Sequence, residues 1–170
     1  YGKEIFSHCA FLEEINLPST FTAQDLNKKI FDSCVSLKHI NLNPSNQSFD
    51  TSVACDALIS KDDALLLGCS NTIIPQKVKK IASSAFYGNR YLEHIEIPST
   101  VEKIGEKAFA NCSSLKTVKF LNDINIIPDG IFINCSNLEK VVLPSHLVKI
   151  SNYVFSNCSK LKSISLPESL

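Results

Sequence analysis

The chain has 170 residues, 17 basic and 17 acidic side chains, 44% hydrophobic residues, and neither Met nor Trp. That length suits one globular domain or one repeat array with enough apolar material for a core. Zero formal net charge excludes a general nucleic-acid binder, which needs surplus cations to release counterions, and no apolar run approaches the roughly 20 residues that span a bilayer. The first residues do not read as a signal peptide, and the lack of Met points to an excerpt of a longer or processed protein.

Internal repetition organises the chain from its start. A first copy centres on Phe6 and Cys9, followed by Leu12, Ile15, Leu17 and Pro18; a second centres on Phe31 and Cys34, followed by Leu37, Ile40 and Leu42. Residues 43–74 then break the rhythm. Asn43–Ser48 is a turn cluster. Ala57–Ser60 and Ala64–Leu67 flank Lys61-Asp62-Asp63 and predict a β-hairpin. Thr72-Ile-Ile-Pro75 resumes the array. Beyond it Phe86, Phe109, Phe132 and Phe155 stand 23 residues apart. Cys112, Cys135 and Cys158 follow their Phe by three residues, with Leu115, Leu138 and Leu161 three further on. Six copies are recognisable, and the hairpin-bearing stretch makes about seven turns.

The spacing has a physical reading. In Leu115-Lys-Thr-Val118-Lys-Phe120 the last apolar residues alternate with polar ones, the period of a strand with one face buried. Pro18, Pro98, Pro144 and Pro167 follow such strands, where a missing N–H ends the ladder. A second apolar pair (Val78/Ile81, Val101/Ile104 or Leu147/Ile150) returns the chain along the opposite side. The short run before each Phe, such as Glu106–Phe109, has room for about one helical or 3-10 turn. No unit of this size buries its own apolar face, so stacked units are expected to share one continuous core with Phe as its spine.

Leu92-Glu-His-Ile95-Glu-Ile97-Pro98-Ser-Thr-Val101-Glu-Lys-Ile104-Gly105-Glu-Lys-Ala108-Phe109-Ala-Asn-Cys112 resembles the BspA-like leucine-rich repeat at every defined position. The resemblance covers essentially the whole chain. It implies an α/β right-handed solenoid, residues 1–170 forming one array with a parallel concave sheet and an irregular hairpin-bearing turn at 43–74. The family's repeat Gly survives only at Gly105 and is Ala82, Pro128 and Ser151 elsewhere, and Asn89 stands in place of one Cys. The family commonly carries a hairpin with flanks like Cys55–Ile59 and Leu66–Cys69.

The seven cysteines lack the close pairs of a zinc site. The five in the repeat row read as buried free thiols. A hairpin centred on Asp62 sets Cys55 opposite Cys69, which leaves a cross-strand disulfide as a hypothesis. Asn111, Asn134 and Asn157, each in an Asn-Cys-Ser sequon, read as a ladder bonding to turn backbone. Asn46 in its loop is the credible glycosylation acceptor. Glu13, Lys38, Glu93, Lys116, Glu139 and Lys162 alternate in sign from turn to turn, a pattern that penalises a one-repeat slip.

Strand alternation points His39, Asn41, His94, Glu96, Thr117, Lys119 and Lys140 away from the core, toward the concave face that solenoids use for binding. These are the candidate partner-binding residues. The sequence offers no catalytic motif, no phosphate loop and no cofactor or metal set; His39 and His94 are expected about two strand spacings, roughly 10 Å, apart. The resemblance implies a non-enzymatic recognition or adhesion module, extracellular or at a cell surface, with a protein or extracellular-matrix partner. A spacer array and an accessory module of an extracellular enzyme are the alternatives.

Overall fold

The computed structural model describes residues 1–26 and 30–170. It is a β-solenoid with very little helix. In chain order the elements are β1 (Glu14–Leu17), α1 (Ala23–Leu26), β2 (His39–Leu42), β3 (Ala57–Ile59), β4 (Ala64–Gly68), β5 (Lys80–Ile81), β6 (His94–Ile97), β7 (Lys103–Ile104), β8 (Thr117–Phe120), β9 (Ile126–Ile127), β10 (Lys140–Val142) and β11 (Lys149–Ile150). Pairing follows the repeat. β1 and β2 form one parallel sheet; β6, β8 and β10 form another, with Ile95 beside Val118 and Val118 beside Val141. The return strands pair separately, as β5 with β7 and β9 with β11.

The hairpin is present, with β3 antiparallel to β4, and β4 joins the array through parallel pairing with β5. It also divides the core. Alternation along β3 sends Ala57 and Ile59 into the larger cluster and Leu58 into the smaller, so the strand is buried on both faces. The continuous core expected from stacking is therefore two cores sharing a wall. The aromatic spine divides with it. Phe86, Phe109, Phe132 and Phe155 stack successively at 4.9, 5.8 and 5.9 Å, and Phe6 stacks on Phe31 at 5.8 Å. Phe31 continues instead to Phe21 at 6.1 Å and thence to Phe49 at 5.9 Å. Phe21 occupies the place of Val78 and Val101, three residues after a proline whose carbonyl accepts its N–H.

The run before and after each Phe is a series of hydrogen-bonded turns, not a helical or 3-10 turn. Ser84, Lys107, Gly130 and Tyr153, two residues before Phe, all have positive φ, as do Ser33, Gly88, Asn111, Asn134 and Asn157 two residues after it. Residues in between stay at negative φ, and this alternation sends the N–H groups to the next turn: Lys107, Phe109 and Asn111 donate to the carbonyls of Asp129, Ile131 and Ile133 at 3.0, 3.0 and 2.8 Å. A helical turn would satisfy itself locally; this arrangement ties each turn to the next. Gly105 is required for another reason, since a Cβ there would lie 2.3 Å from the Ser83 backbone nitrogen. The short helix α1, the one helix among the described residues, was not legible in the repeat. Thr22 and Asp25 cap it reciprocally, the Thr22 N–H donating to Asp25 Oδ2 at 3.0 Å and the Asp25 N–H to Thr22 Oγ1 at 3.3 Å.

Candidate binding surface

Five of the seven candidate residues converge. His94 and Glu96 on β6, Thr117 and Lys119 on β8 and Lys140 on β10 line one groove of about 540 Å³. Strand register makes neighbours of them: His94 lies beside Thr117 and Thr117 beside Lys140, while Glu96 lies beside Lys119 and Lys119 beside Val142. His94 Nδ1 and Thr117 Oγ1 are 2.7 Å apart, and the Lys119 ammonium donates to Glu96 at 3.3 Å. Lys140 makes no ion pair among the described residues. Thr72, Ile73, Ile74 and Gln76, from the segment after the hairpin, supply part of the lining. Ile73 is 81% exposed, and Leu121 and Val142 are also open to solvent. This apolar contribution was not read from the sequence, where Thr72-Ile-Ile-Pro75 only marked the return of the array; the adjacent Ile74 is the buried one, so the period-2 alternation held the signal.

His39 and Asn41 lie elsewhere, on β2, which among the described residues shares its sheet with β1 alone. Asn41 donates through Nδ2 to Glu14 Oε1 at 2.7 Å and Asn16 Oδ1 at 3.1 Å. His39 is held between Asp56 and Asn71, 3.2 Å from each. The hairpin segment thus interrupts the expected single face and leaves two separate polar surfaces.

The alternating charges pair in part. Lys38 meets Glu13 at 2.7 Å and Lys116 meets Glu93 at 2.8 Å. Glu139 and Lys162 form no such pair among the described residues. Lys38 also lies 5.1 Å from the Tyr91 ring centroid, reaching across to the following stack of turns.

Two readings of possible modification sites change. Asn46 is only 1% exposed: its Nδ2 donates to the Pro18 and Phe21 carbonyls and its Oδ1 accepts from the Ser48 and Phe49 N–H groups. A nitrogen so enclosed is no acceptor for a glycan in the folded chain. The Asn ladder is real but runs through side chains, Asn134 donating to Asn111 at 2.6 Å and Asn157 to Asn134 at 2.7 Å. Positive φ explains the residue choice, since Asn tolerates that region better than most. Cys55 and Cys69 are free. A bulge between Leu58 and Ile59 shifts the register, so that Ala57 faces Gly68 and the expected opposition is lost by one residue. Cys9 is exposed, whereas Cys69, Cys112, Cys135 and Cys158 are buried. Burial pushes the Cys112 thiol up to about 12 and those of Cys34 and Cys158 to about 11.

A solenoid of repeated parallel strands with an open polar face is the architecture of leucine-rich-repeat proteins. The chain belongs to the BspA type leucine rich repeat family, whose profile matches residues 1–58 and 67–170 in six copies. The residues left between those ranges are the hairpin tip and its flanks. A search of curated proteins gives no match. Among solved structures, a leucine rich cell surface protein from Faecalibacterium prausnitzii is similar at 26% identity and TM-score 0.58, over 89% of this chain and 47% of that one. A leucine-rich repeat protein from Eubacterium ventriosum shares the fold at 22% identity and TM-score 0.56, over 93% of this chain and 56% of its own. The leucine rich repeat protein of T. pallidum does so at 24% identity and TM-score 0.54, over 95% and 70%. The chain spans about half the length of the first two.

Proposed function

We propose that this array is a non-enzymatic recognition module of a secreted or surface-attached protein, engaging a protein or matrix partner through the β6–β8–β10 face. The observation that carries the reading is the groove itself. His94, Glu96, Thr117, Lys119 and Lys140 surround exposed Ile73, Leu121 and Val142, giving an apolar centre with a polar rim, the anatomy of a protein-binding patch. Likeness to a leucine rich cell surface protein supports the location. Simultaneous replacement of His94, Glu96 and Lys119 by Ala tests it against a panel of immobilised matrix proteins, with circular dichroism to confirm folding. At least tenfold weaker binding is the expected result; undiminished binding overturns the assignment of this face. A spacer array is the second reading, favoured by the way Glu96–Lys119 and Glu93–Lys116 pair with each other between turns. A flat, weak profile across the panel would select it.

A further inference from the structure

Away from the groove, the backbone ladder of the turn side is broken at one place. Each turn has an edge of N–H donors facing the next turn and an edge of carbonyl acceptors facing the previous one, because positive and negative φ alternate along it. The Phe6 turn donates normally to the Phe31 turn, Phe6 N to Ile30 O at 3.1 Å and His8 N to Asp32 O at 2.8 Å. The Phe31 turn has no regular successor. Among the described residues the Phe31 and Ser33 N–H groups, equivalent to Phe6 and His8, have no hydrogen-bond partner.

The Phe86 turn presents the complementary edge. Its Ala85 carbonyl accepts the Gly68 N–H at 2.9 Å, where the hairpin reaches it. Among the described residues the Ser83 and Tyr87 carbonyls have no hydrogen-bond partner, although their equivalents one turn later, Glu106 and Ala110, accept from Ser84 and Gly88 at 3.1 and 2.8 Å. A cleft of about 490 Å³ is lined by both turns and by the apolar side chains of Leu37 and Leu66. That volume lies inside the range of about 300–1,000 Å³ typical of ligand sites.

An occupant matching this cleft offers acceptors to one wall and donors to the other, at the i, i+2 spacing of a polypeptide, with apolar side chains between. We propose that the cleft docks a short apolar segment of a partner polypeptide, which completes the interrupted ladder by accepting from Phe31 and Ser33 and donating to Ser83 and Tyr87. The mode is strand addition adapted to a turn ladder: backbone bonds hold the segment and the apolar lining selects it.

Hydrogen exchange on the whole protein reads the open edge directly. The Phe31 and Ser33 amides are expected to exchange at least about tenfold faster than those of Phe109 and Asn111. Equal protection means that another part of the chain already fills the cleft, and overturns the proposal. Binding is then read from amide chemical shifts with a defined probe, the acetylated and amidated hexapeptide Glu-Lys-Ala-Phe-Ala-Asn that copies residues 106–111. Saturable shifts at Phe31 and Ser33 are expected, abolished by Leu66→Trp and by N-methylating the second and sixth residues of the peptide, whose N–H groups face the Ser83 and Tyr87 carbonyls. Shifts confined to the β6–β8–β10 face, shifts that survive N-methylation, or none up to millimolar peptide overturn it. The N-methylated peptide keeps the test decisive should Leu66→Trp perturb folding.

Discussion

The thiol of Cys135 donates to the carbonyl of Phe109, 3.1 Å away and 26 residues earlier. The bond recurs between Cys112 and Phe86, Cys158 and Phe132, and Cys34 and Phe6, at 3.1, 3.2 and 3.0 Å. The cysteine row is therefore both filler and fastener, with each thiol occupying a carbonyl of the turn before it. Where Cys gives way to Asn89, the bonds turn local and its Oδ1 accepts from the Tyr91 and Leu92 N–H groups, each at 3.0 Å.

Thiol reactivity should follow this geometry. In folded protein an alkylating reagent near neutral pH is expected to reach exposed Cys9 first and to spare Cys112 and Cys135, which are buried and whose thiols burial holds in the protonated form. In unfolded, unreduced protein all seven should label. Intact mass and peptide mapping distinguish the states, and early labelling of Cys135 contradicts the buried row.

Phe109→Ala should destabilise the chain by about 3–5 kcal/mol, because it removes a fully buried ring stacked on both Phe86 and Phe132. Lys119→Ala on the open face should cost under about 0.5 kcal/mol. Chemical denaturation of the two variants checks the inside–outside assignment; equal effects would refute it.

Gly105→Ala should be costly, by about 1–3 kcal/mol, since the added Cβ meets Ser83 backbone that has nowhere to go. Gly130→Asn should be nearly neutral. Gly130 has φ +57, a Cβ there would make only ordinary van der Waals contacts, at 3.5 Å to the Ile133 and Lys107 side chains, and Asn already stands in the same backbone region at positions 111, 134 and 157. Thermal melts of both variants test whether close approach or conformation governs each glycine.

Asn46→Ala should cost more than about 2 kcal/mol, because it strands the Phe21 carbonyl and the Ser48 and Phe49 N–H groups at a buried site and takes a second donor from the Pro18 carbonyl. Protein expressed in a glycosylating host should carry no glycan on Asn46. Glycopeptide mass spectrometry decides the second point.

Acid should loosen the tip of the hairpin, where Asp63 lies in the turn and the Asp50 N–H donates to the Ile59 carbonyl. The Lys77 ammonium beside Asp50 holds its carboxyl at about 2, below the ordinary 3.8, and the same ammonium reaches Asp63 at 3.3 Å. A folded-state value below the unfolded one means that this stabilisation is complete above about pH 4 and is lost as pH falls toward 2. Asp50→Asn should remove that part of the acid dependence, measured as denaturation midpoint against pH.

The 23-residue rhythm of Phe, Cys, Leu and Val was enough to place the strands and the stacked Phe rows, because a stacked array makes each copy repeat its neighbour's environment; the hairpin was legible only from the turn residues between its two apolar runs. Period-2 alternation likewise placed His94, Glu96, Thr117, Lys119 and Lys140 on one face, since side-chain direction along a strand is fixed by backbone geometry alone. The irregular segment lacked both aids. Whether Asn46 is open or enclosed depends on the carbonyls of Pro18 and Phe21, 28 and 25 residues away. Whether Cys55 faces Cys69 depends on one bulge at Leu58–Ile59, which moves the register by a residue. The division of the core, the separation of His39 from His94 and the open edge at Phe31 have the same cause. A non-repeating segment is positioned by long-range packing, which no local period encodes, so only the tertiary structure decided them.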